Sequence, residues 1–427
     1  MNRVVVTGIG IVSPVGVGRE ASWSGLTSGR SGLGPITLFD ASAFPVRIGG
    51  EVKGFEAATV VARFPEAADT RDRKVLLALA AAEEAIADAH LPPEQFQQAL
   101  LCVGVGLETI SLEDLIAYGC AAEHDWAMVM DRAAKDNGHW LQTPLDRTAV
   151  ILGNRYGFTA GRFTNCSACA AGTQVVGESW QMLRCGQADV ALAGAADSML
   201  NPLGLGGFSL LRVLSAENDC PQRACRPFDV GREGTVLGEG AAFLVLEGLE
   251  HALRRDAQVY AEIVGYGSSL DAFAASDPDP SGRGAIESMR RAMRQAGLGP
   301  DEIDCVNAHG TGTPKNDVVE TLAIKQALGR RAYEVPVHAV KSMTGHMIAA
   351  SGAVETATAA LTLARQTVPP TINLSKPDPQ CDLDYVPGLA RPFQGKTVLS
   401  NSFGFGGQNA TIILRKVHDG TRRTGSL

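Results

Sequence analysis

The sequence alternates short valine- and isoleucine-rich runs, many followed by glycine, with longer alanine- and leucine-rich stretches of helical pattern. Apolar runs that lack a polar alternation are typical of strands buried on both faces, and their alternation with helices predicts α/β layers. The predicted strands are Val4–Ile9, Leu101–Val105, Val190–Ala193, Ala242–Leu246, Ala261–Val264, Cys305–Ala308, Val398–Asn401 and Ala410–Leu414. The predicted helices are Lys74–His90, Gly172–Cys185, Ala285–Ala296, Val318–Leu328 and Ser351–Thr362.

A weak duplication is visible in this pattern. A strand followed by a glycine turn opens the chain at Val4–Ile9, and a comparable unit opens again at Val259–Tyr266 after the polar segment His251–Gln258. The chain has 427 residues, which is more than one ordinary hydrophobic core needs. We therefore expect two similar halves, residues 1–255 and 256–415, followed by a polar tail over residues 416–427.

Composition excludes several classes of protein. The formal net charge of −8 gives no overall electrostatic footprint for nucleic acid or for an anionic membrane. The nine cysteines are odd in number and scattered, which does not fit a secreted disulfide framework. No apolar run reaches the roughly 18 residues of a membrane span, and the chain opens directly on a predicted strand, so we expect a cytoplasmic protein.

One cysteine and two distant histidines carry the most chemical information. Cys169 follows a run of small and hydroxyl residues and precedes a helical pattern, whereas His309 ends a predicted strand within His-Gly-Thr-Gly-Thr-Pro. His346 stands in a second glycine-bounded turn, five residues after Lys341. A thiolate is a nucleophile, and a helix N-terminus lowers the pKa of a cysteine. The pattern therefore indicates covalent thioester chemistry.

Two competing interpretations concern the same segments. Cys166 and Cys169 form a Cys-x-x-Cys pair, but a zinc site would need a second pair or two well-spaced histidines, and the proline or tryptophan of a thioredoxin-type motif is missing nearby. The turn at residues 404–407 could cradle a phosphate, but neither a Gly-Lys-Ser/Thr motif nor a dinucleotide-binding glycine pattern is present. Its backbone N–H groups could instead form half of an oxyanion hole.

Together these motifs resemble the elongating β-ketoacyl-acyl-carrier-protein synthases of the thiolase-fold superfamily, over about residues Arg3 to Arg415. The resemblance implies a five-layered αβαβα sandwich made of two similar halves, usually as a dimer. The further motifs that carry it are Pro202–Phe208, Arg226–Asp229, Gly238–Ala241 and Pro369–Leu374.

The resemblance also implies a role for each site residue. Cys169 would be the nucleophile, and neutral His309 and His346 would donate hydrogen bonds to a malonyl thioester during decarboxylation. Lys341, Glu320 and Glu355 would form the charge network that orients the histidines. The backbone N–H groups of Cys169 and Phe403 would form the oxyanion hole, with Phe403 also acting as a gate. The implied substrate and pantetheine contacts are Thr311, Thr313, Leu107, Glu108, Phe208 and Phe405.

The implied partner is an acidic acyl carrier protein, whose phosphopantetheine arm enters the site, so no cofactor or metal belongs to the chain itself. Arg71, Arg73, Lys74 and Arg212 match basic docking positions of the family, although ordinary solvated charge is the alternative explanation. The chain would be a homodimer, or a heterodimer with a chain-length-factor-like subunit. No nucleic-acid or membrane partner is expected.

The pathway stays open at the level of sequence. Residues 123–147 and Gln408 depart from the family pattern, which leaves both fatty-acid elongation and a type II polyketide or polyene pathway as candidates. In the second pathway the chain would act only with its chain-length partner. A catalytically silent partner subunit is a further alternative, but such subunits typically lack the cysteine, so Cys169 argues against it.

Overall fold

The computed structural model describes residues 1–107 and 144–417, together with Ala127 and Asp131. In these residues the main sheet contains the strands Val4–Ser13, Gly16–Val17, Leu100–Val105, Gly161–Asn165, Val190–Ser198, Glu239–Gly248, Ala261–Leu270, Cys305–Asn307, Val337–His338, Thr397–Gly404 and Gln408–Arg415. The helices longer than one turn are Arg19–Thr27, Ala57–Arg63, Arg73–Ala89, Arg147–Tyr156, Ala171–Arg184, Pro202–Leu210, Leu249–Arg254, Arg283–Ala296, Pro314–Leu328 and Ala349–Arg365.

The strand order shows the duplication directly. Leaving aside Gly16–Val17, which pairs only with Val4–Ser13, the five strands of each half run, from the outer edge toward the centre of the molecule, as the third, second, fourth, fifth and first in chain order. The second strand of each half is parallel to both neighbours, and the remaining pairs within the half are antiparallel. The two first strands meet where Val4–Val6 pairs with Ala261–Ile263. The predicted duplication is therefore present in the topology.

Helices cover both faces of each half-sheet. Arg73–Ala89 and Arg147–Tyr156 pack on the outer face of the first half, and Arg283–Ala296 and Pro314–Leu328 pack on that of the second. Two further helices lie between the two half-sheets and contact both. They are Ala171–Arg184, hereafter the Cys helix, and Ala349–Arg365, hereafter the His helix. This arrangement is the predicted αβαβα sandwich.

The first strand shows why near-continuous apolar runs predict the strands of this sheet. All ten residues of Val4–Ser13 are buried, because helices cover both faces of the strand. A Cβ added at Gly10 would lie 1.9 Å from the backbone oxygen of Ala81, so only glycine lets the helix Arg73–Ala89 approach this closely. The glycines within these runs therefore mark close packing of helix on sheet.

The central helices also touch backbone to backbone. A Cβ at Gly172 of the Cys helix would lie 2.5 Å from the backbone nitrogen of Ala353, and one at Gly352 would lie 2.5 Å from Thr173 Oγ1. Glycine at these two positions thus permits the starts of the helices to cross in direct contact.

All predicted strands and helices are present, with ends shifted by a few residues. The strand Gly161–Asn165 was not predicted. It has one large apolar residue, and it is partly exposed because it forms the outer edge of its half-sheet. The division predicted after residue 255 falls between the helix Leu249–Arg254 and the strand Ala261–Leu270. Within the described residues, no helix has the length and apolar character needed to cross a bilayer.

Candidate active site

Cys169 lies in the turn that joins the edge strand Gly161–Asn165 to the Cys helix. The turn is a 3₁₀ segment, Ala168–Ala170, that continues directly into the helix at Ala171. Ala168 adopts a positive φ of 50°, a strained conformation for a residue other than glycine. The Cys169 side chain is only 2% exposed and lies against the apolar cluster that contains Leu205, Phe208 and Ile348.

His309 follows the short strand Cys305–Asn307, and its loop is held by a buried carboxylate. The backbone N–H groups of His309 and Gly310 donate to Glu320 Oε1 and Oε2, each at 2.8 Å. Glu320 is on the helix Pro314–Leu328, and burial raises the pKa of its carboxyl to about 7. The predicted supporting residue thus acts on the backbone of the histidine loop.

His346 follows the one-turn helix Lys341–Thr344 and lies just before the His helix. Its backbone N–H donates to the Val236 carbonyl at 2.7 Å, and its own carbonyl accepts from the Gly238 N–H at 2.9 Å. Gly345 has a φ of 68°, and a Cβ there would lie 2.8 Å from the Val236 oxygen. This turn therefore needs glycine immediately before the histidine.

The three predicted residues converge in one cavity. His346 Nε2 lies 3.1 Å from Cys169 Sγ, and the rings of His309 and His346 meet edge to face with centroids 5.3 Å apart. The cavity has a volume of about 370 Å³. Of the predicted site residues, it is lined by Cys169, His309, His346, Phe403, Phe405, Phe208, Thr311, Thr313 and Arg212.

A buried ion pair lies beside His309, on the Nδ1 side of its ring. The Lys341 ammonium pairs with Glu355 Oε1 and lies 3.2 Å from His309 Nδ1. An ammonium group can only donate, so His309 Nδ1 accepts and the single proton of the neutral ring resides on Nε2. Burial, followed by the nearby charge of Lys341, lowers the pKa of both imidazoles well below 6.5. Both histidines are therefore neutral hydrogen-bond donors at physiological pH.

The thiol differs from the expectation based on its position at a helix start. Burial raises the pKa of Cys169 to about 11, which outweighs the lowering by the Phe405 N–H and by Lys341. The position of Cys169 at a helix start therefore does not determine the pKa of its thiol. Desolvation in the apolar cluster is the stronger effect.

Two backbone N–H groups act on the sulfur, that of Phe405 and that of Cys169 itself. Both lower the pKa of the Cys169 thiol. The predicted donor, Phe403, stands two residues earlier in the chain and does not act on the pKa of the thiol in this way, so its oxyanion role stays a prediction. Phe403 pairs with Asn409 in the sheet, and its ring packs 5.9 Å from that of His309. Gly404 allows the turn to approach, because a Cβ there would lie 3.2 Å from the Cys169 nitrogen.

Two groups of contacts were missed by the sequence analysis. The first group joins the turn at residues 404–407 to the segment that follows the strand Ala261–Leu270. Asn409 Nδ2 donates to Asp271 Oδ1 at 2.7 Å, and the Gly406 N–H donates to the Ala275 carbonyl at 2.7 Å. Ser351 Oγ lies 3.0 Å from His346 Nδ1. In the sequence, Asn409 and Ser351 are polar residues shortly after the glycine turn and after His346, which was a usable signal. The residues that they contact cannot be predicted from spacing.

The remaining predicted substrate contacts have mixed outcomes. Leu107 is exposed and is not among the described residues that line the cavity; its carbonyl accepts from Lys74 Nζ at 3.4 Å. Glu108 lies outside the described residues, as does most of the divergent region 123–147. Thr311 and Thr313 lie on the cavity wall, with their hydroxyl oxygens 2.9 Å apart.

Not all of the predicted basic docking residues are accessible in the structure. Lys74 is 3% exposed and pairs with Asp72 at 2.5 Å, so its prediction as a docking residue was wrong. Arg73 is committed to the buried Glu239 through two hydrogen bonds of 2.7 and 2.8 Å. Arg71 and Arg212 are exposed, and Arg212 also lines the cavity.

The Cys-x-x-Cys pair consists of two free thiols in different environments. Cys169 is buried at the cavity, whereas Cys166 is exposed and its Sγ lies 3.0 Å from the Gly106 carbonyl oxygen. The two cysteines therefore face different neighbours.

Comparisons with known proteins agree with this geometry. Residues 1–252 match the family "Beta-ketoacyl synthase, N-terminal domain", and residues 260–375 match "Beta-ketoacyl synthase, C-terminal domain". The chain is 42% identical to the 3-oxoacyl-[acyl-carrier-protein] synthase 2 of Synechocystis sp., over 97% of this chain and 98% of the relative. It is 38% identical to the tetracenomycin polyketide synthase ketoacyl synthase alpha subunit of Streptomyces glaucescens, over 97% of each chain.

Solved structures give the same result. A type II PKS acyl-carrier protein in complex with its ketosynthase bound to the hexaketide matches with a TM-score of 0.86 and 32% identity, covering 98% of this chain and 100% of that one. The ishigamide ketosynthase/chain length factor matches with a TM-score of 0.85 and 34% identity, with the same coverage. The chain therefore belongs to the β-ketoacyl synthase family and is a thiolase-fold condensing acyltransferase of fatty-acid or polyketide chain elongation.

Proposed function

We propose that this chain accepts an acyl group from a carrier protein onto Cys169 and extends it by two carbons with malonyl-carrier protein. The observation that carries the proposal is the convergence of a buried thiol and two neutral imidazoles at one cavity, with Cys169 Sγ 3.1 Å from His346 Nε2. A thiol can hold the acyl chain, and paired N–H donors can stabilise an enolate.

In the first half-reaction the Cys169 sulfur attacks the thioester carbonyl of the acyl-carrier protein. The backbone N–H groups of Cys169 and Phe405 both lower the pKa of the thiol, which supports them as donors to the oxyanion that forms beside the sulfur. The new C–S bond forms as the carrier's C–S bond breaks, and the thiol proton leaves with the pantetheine thiol. Because the raised pKa of Cys169 disfavours a free thiolate, we expect deprotonation to accompany substrate binding.

In the second half-reaction the malonyl group occupies the place of the departed arm. The Nε2–H of His309, fixed by Lys341 at Nδ1, and the His346 ring donate to the thioester oxygen. Loss of carbon dioxide then leaves an enolate whose negative charge lies on that oxygen. Its carbon attacks the acyl-Cys169 carbonyl, and the Cys169 thiolate leaves as the β-ketoacyl product forms.

The carrier protein is the proposed partner, and Arg212 is the docking residue best placed for it. Its side chain is exposed at the cavity, where a basic group attracts an acidic partner. Arg212→Glu should raise the KM for acyl-carrier protein several-fold and leave kcat within about twofold. Arg330→Glu is the matched control, since Arg330 is 94% exposed at the far end of the helix Pro314–Leu328 from the cavity. An equal KM for the two variants would reject this docking site.

Intact-mass measurement tests the proposed reaction. Incubation with saturated, unsaturated and polyenyl carrier-protein thioesters should add one acyl group to the wild-type chain and none to Cys169→Ala. Addition of malonyl-carrier protein should then release a β-ketoacyl carrier two carbons longer. Absence of acylation with every member of the panel, in the presence and absence of a chain-length-factor-like partner, would overturn the proposal.

The same experiment distinguishes the two pathways. Turnover of saturated chains by the chain alone favours fatty-acid elongation with a homodimer. Turnover that appears only when the second subunit is added, and only with unsaturated or polyketide chains, favours the polyketide pathway. Size-exclusion chromatography with and without that subunit measures the corresponding assembly.

A further inference from the structure

We propose that Ser351 is a positioning residue for the condensation, because its hydroxyl donates to His346 Nδ1 and keeps the imidazole N–H on Nε2, where it faces Cys169. The inference rests on the proposed function and extends it to a residue in the first turn of the His helix. Ser351 contacts neither Cys169 nor the cavity among the described residues, so it acts through His346.

The direction of the hydrogen bond follows from the partners of the hydroxyl. Ser351 Oγ lies 3.0 Å from the Met347 backbone nitrogen and 3.0 Å from His346 Nδ1. A backbone N–H can only donate, so the hydroxyl oxygen accepts from Met347. Among the described residues, His346 Nδ1 is the acceptor recorded for the hydroxyl proton. Satisfying all three groups therefore requires Ser351 to donate and His346 Nδ1 to accept.

This assignment determines the tautomer of a neutral ring. Burial and the charge of Lys341 lower the pKa of His346 well below 6.5, so the ring carries one proton. With Nδ1 as acceptor, that proton is on Nε2, which is 3.1 Å from Cys169 Sγ. The opposite tautomer would present a lone pair to the reacting oxygen and could not stabilise an enolate.

The two histidines therefore reach the same tautomer by different means. For His309 the donor to Nδ1 is the Lys341 ammonium, whereas for His346 it is the neutral Ser351 hydroxyl. A hydroxyl orients the ring without adding a second positive charge beside Lys341. The pair of rings thus needs one buried cation, which Glu355 neutralises.

A purely structural role for Ser351 is the competing explanation. Its oxygen accepts from the Met347 N–H at the start of the His helix, so loss of the hydroxyl could merely weaken that helix start. Such a loss would lower thermal stability and affect both half-reactions alike. A positioning role instead impairs decarboxylation and largely spares acyl transfer, because the donors proposed for the oxyanion of acyl transfer are the backbone N–H groups of Cys169 and Phe405 rather than the His346 ring.

The experiment compares Ser351→Ala with the conservative Ser351→Thr. The expected result for Ser351→Ala is a loss of at least about tenfold in malonyl decarboxylation, since the wrong tautomer of a catalytic histidine can cost up to about 10⁴-fold. Acyl transfer to Cys169 should stay within about threefold, and Ser351→Thr should restore decarboxylation. Ser288→Ala is the matched control, because it removes a buried hydroxyl, 3.0 Å from Thr411 Oγ1, in an outer helix.

Nitrogen NMR of ¹⁵N-histidine-labelled protein reads the tautomer directly. The His346 signals, assigned by their absence in His346→Ala, should show the proton on Nε2 in the wild type and a mixture of tautomers in Ser351→Ala. A proton on Nδ1 in the wild type would overturn the inference even if Ser351→Ala does not fold. Equal decreases in acyl transfer and decarboxylation would also overturn it. Failure of the proposed function is distinguishable, because the wild type would then not be acylated.

Discussion

The turns that precede the two central helices occupy equivalent places in the two halves. Each follows the third strand of its half, and each contains a non-glycine residue with positive φ, Ala168 at 50° and Ile348 at 42°. The first turn presents a thiol from Cys169, whereas the second presents the imidazole of His346. Because the helices cross in contact, these two turns lie side by side and bring a nucleophile opposite an imidazole.

The surroundings of the two turns differ in charge. Cys169 is packed in an apolar cluster, and burial raises its pKa. The second half instead supplies the buried charges Lys341, Glu355 and Glu320. The duplicated fold thus separates an apolar environment suited to an acyl thioester from a polar one suited to an enolate.

The largest expected effect tests this separation at the thiol. Cys169→Ala should decrease acyl transfer by roughly 10⁴-fold or more, because it removes the nucleophile. Malonyl decarboxylation should persist, since the two histidines belong to the other half. Radiolabelled carbon dioxide release and intact mass measure the two steps, and Cys166→Ala is the matched control. Loss of both steps together in Cys169→Ala would contradict the division of roles.

The reciprocal change removes an imidazole. His309→Ala and His346→Ala should each decrease malonyl decarboxylation by roughly 10²- to 10⁴-fold, because each removes a donor to the developing enolate. Acyl transfer should decrease much less. An unchanged rate of carbon dioxide release in either variant would exclude that histidine from decarboxylation.

The third prediction concerns the buried ion pair that lies beside His309 in the second half. Glu355→Gln leaves Lys341 without its partner, and both side chains are at most 1% exposed. The free energy of unfolding should fall by about 3–5 kcal/mol. Asp277→Asn, which breaks an exposed pair with Lys315, should cost less than about 1 kcal/mol. Denaturant unfolding compares the two variants, and equal losses would contradict the assigned difference in burial.

The smallest effect is a pH dependence of stability. Burial raises the pKa of Glu320 from 4.5 to about 7, so its stabilising contribution is complete below 4.5 and is lost as the pH rises through about 7. The stability of the wild type relative to Glu320→Gln should therefore fall by about 3 kcal/mol over this range. Unfolding at several pH values measures the difference. Glu334→Gln is the control, and a difference that rises with pH would contradict the assignment.

Local patterns were sufficient to predict α/β layers with a duplication and to single out Cys169, His309 and His346, whereas the five-layered sandwich and the roles of these residues were implied by the family resemblance. Buried strands appear as continuous apolar runs, and a glycine directly after His309 and directly before His346 marks tight turns at strand and helix ends. The edge strand Gly161–Asn165 was missed because one neighbouring strand and partial exposure impose little apolar pattern.

The errors at the site depend on tertiary surroundings. Arg73 pairs with Glu239, which is distant in sequence, and Lys74 is buried beside its neighbour Asp72; neither that distant pairing nor that burial can be inferred from local composition. The choice between the Phe403 and Phe405 N–H groups depends on the turn conformation, in which Gly406 has a φ of 77°. The pKa of Cys169 depends on desolvation by residues from several segments.

The close contact of the two central helices has a consequence for evolution of the site. Because Gly172 abuts Ala353 and Gly352 abuts Thr173, contact between the helix starts helps to fix the separation of thiol and imidazole. The loops around the mouth can therefore change length and sequence to suit a different acyl chain while the reacting atoms keep their spacing. Substrate range and chemical competence are separable properties in this architecture.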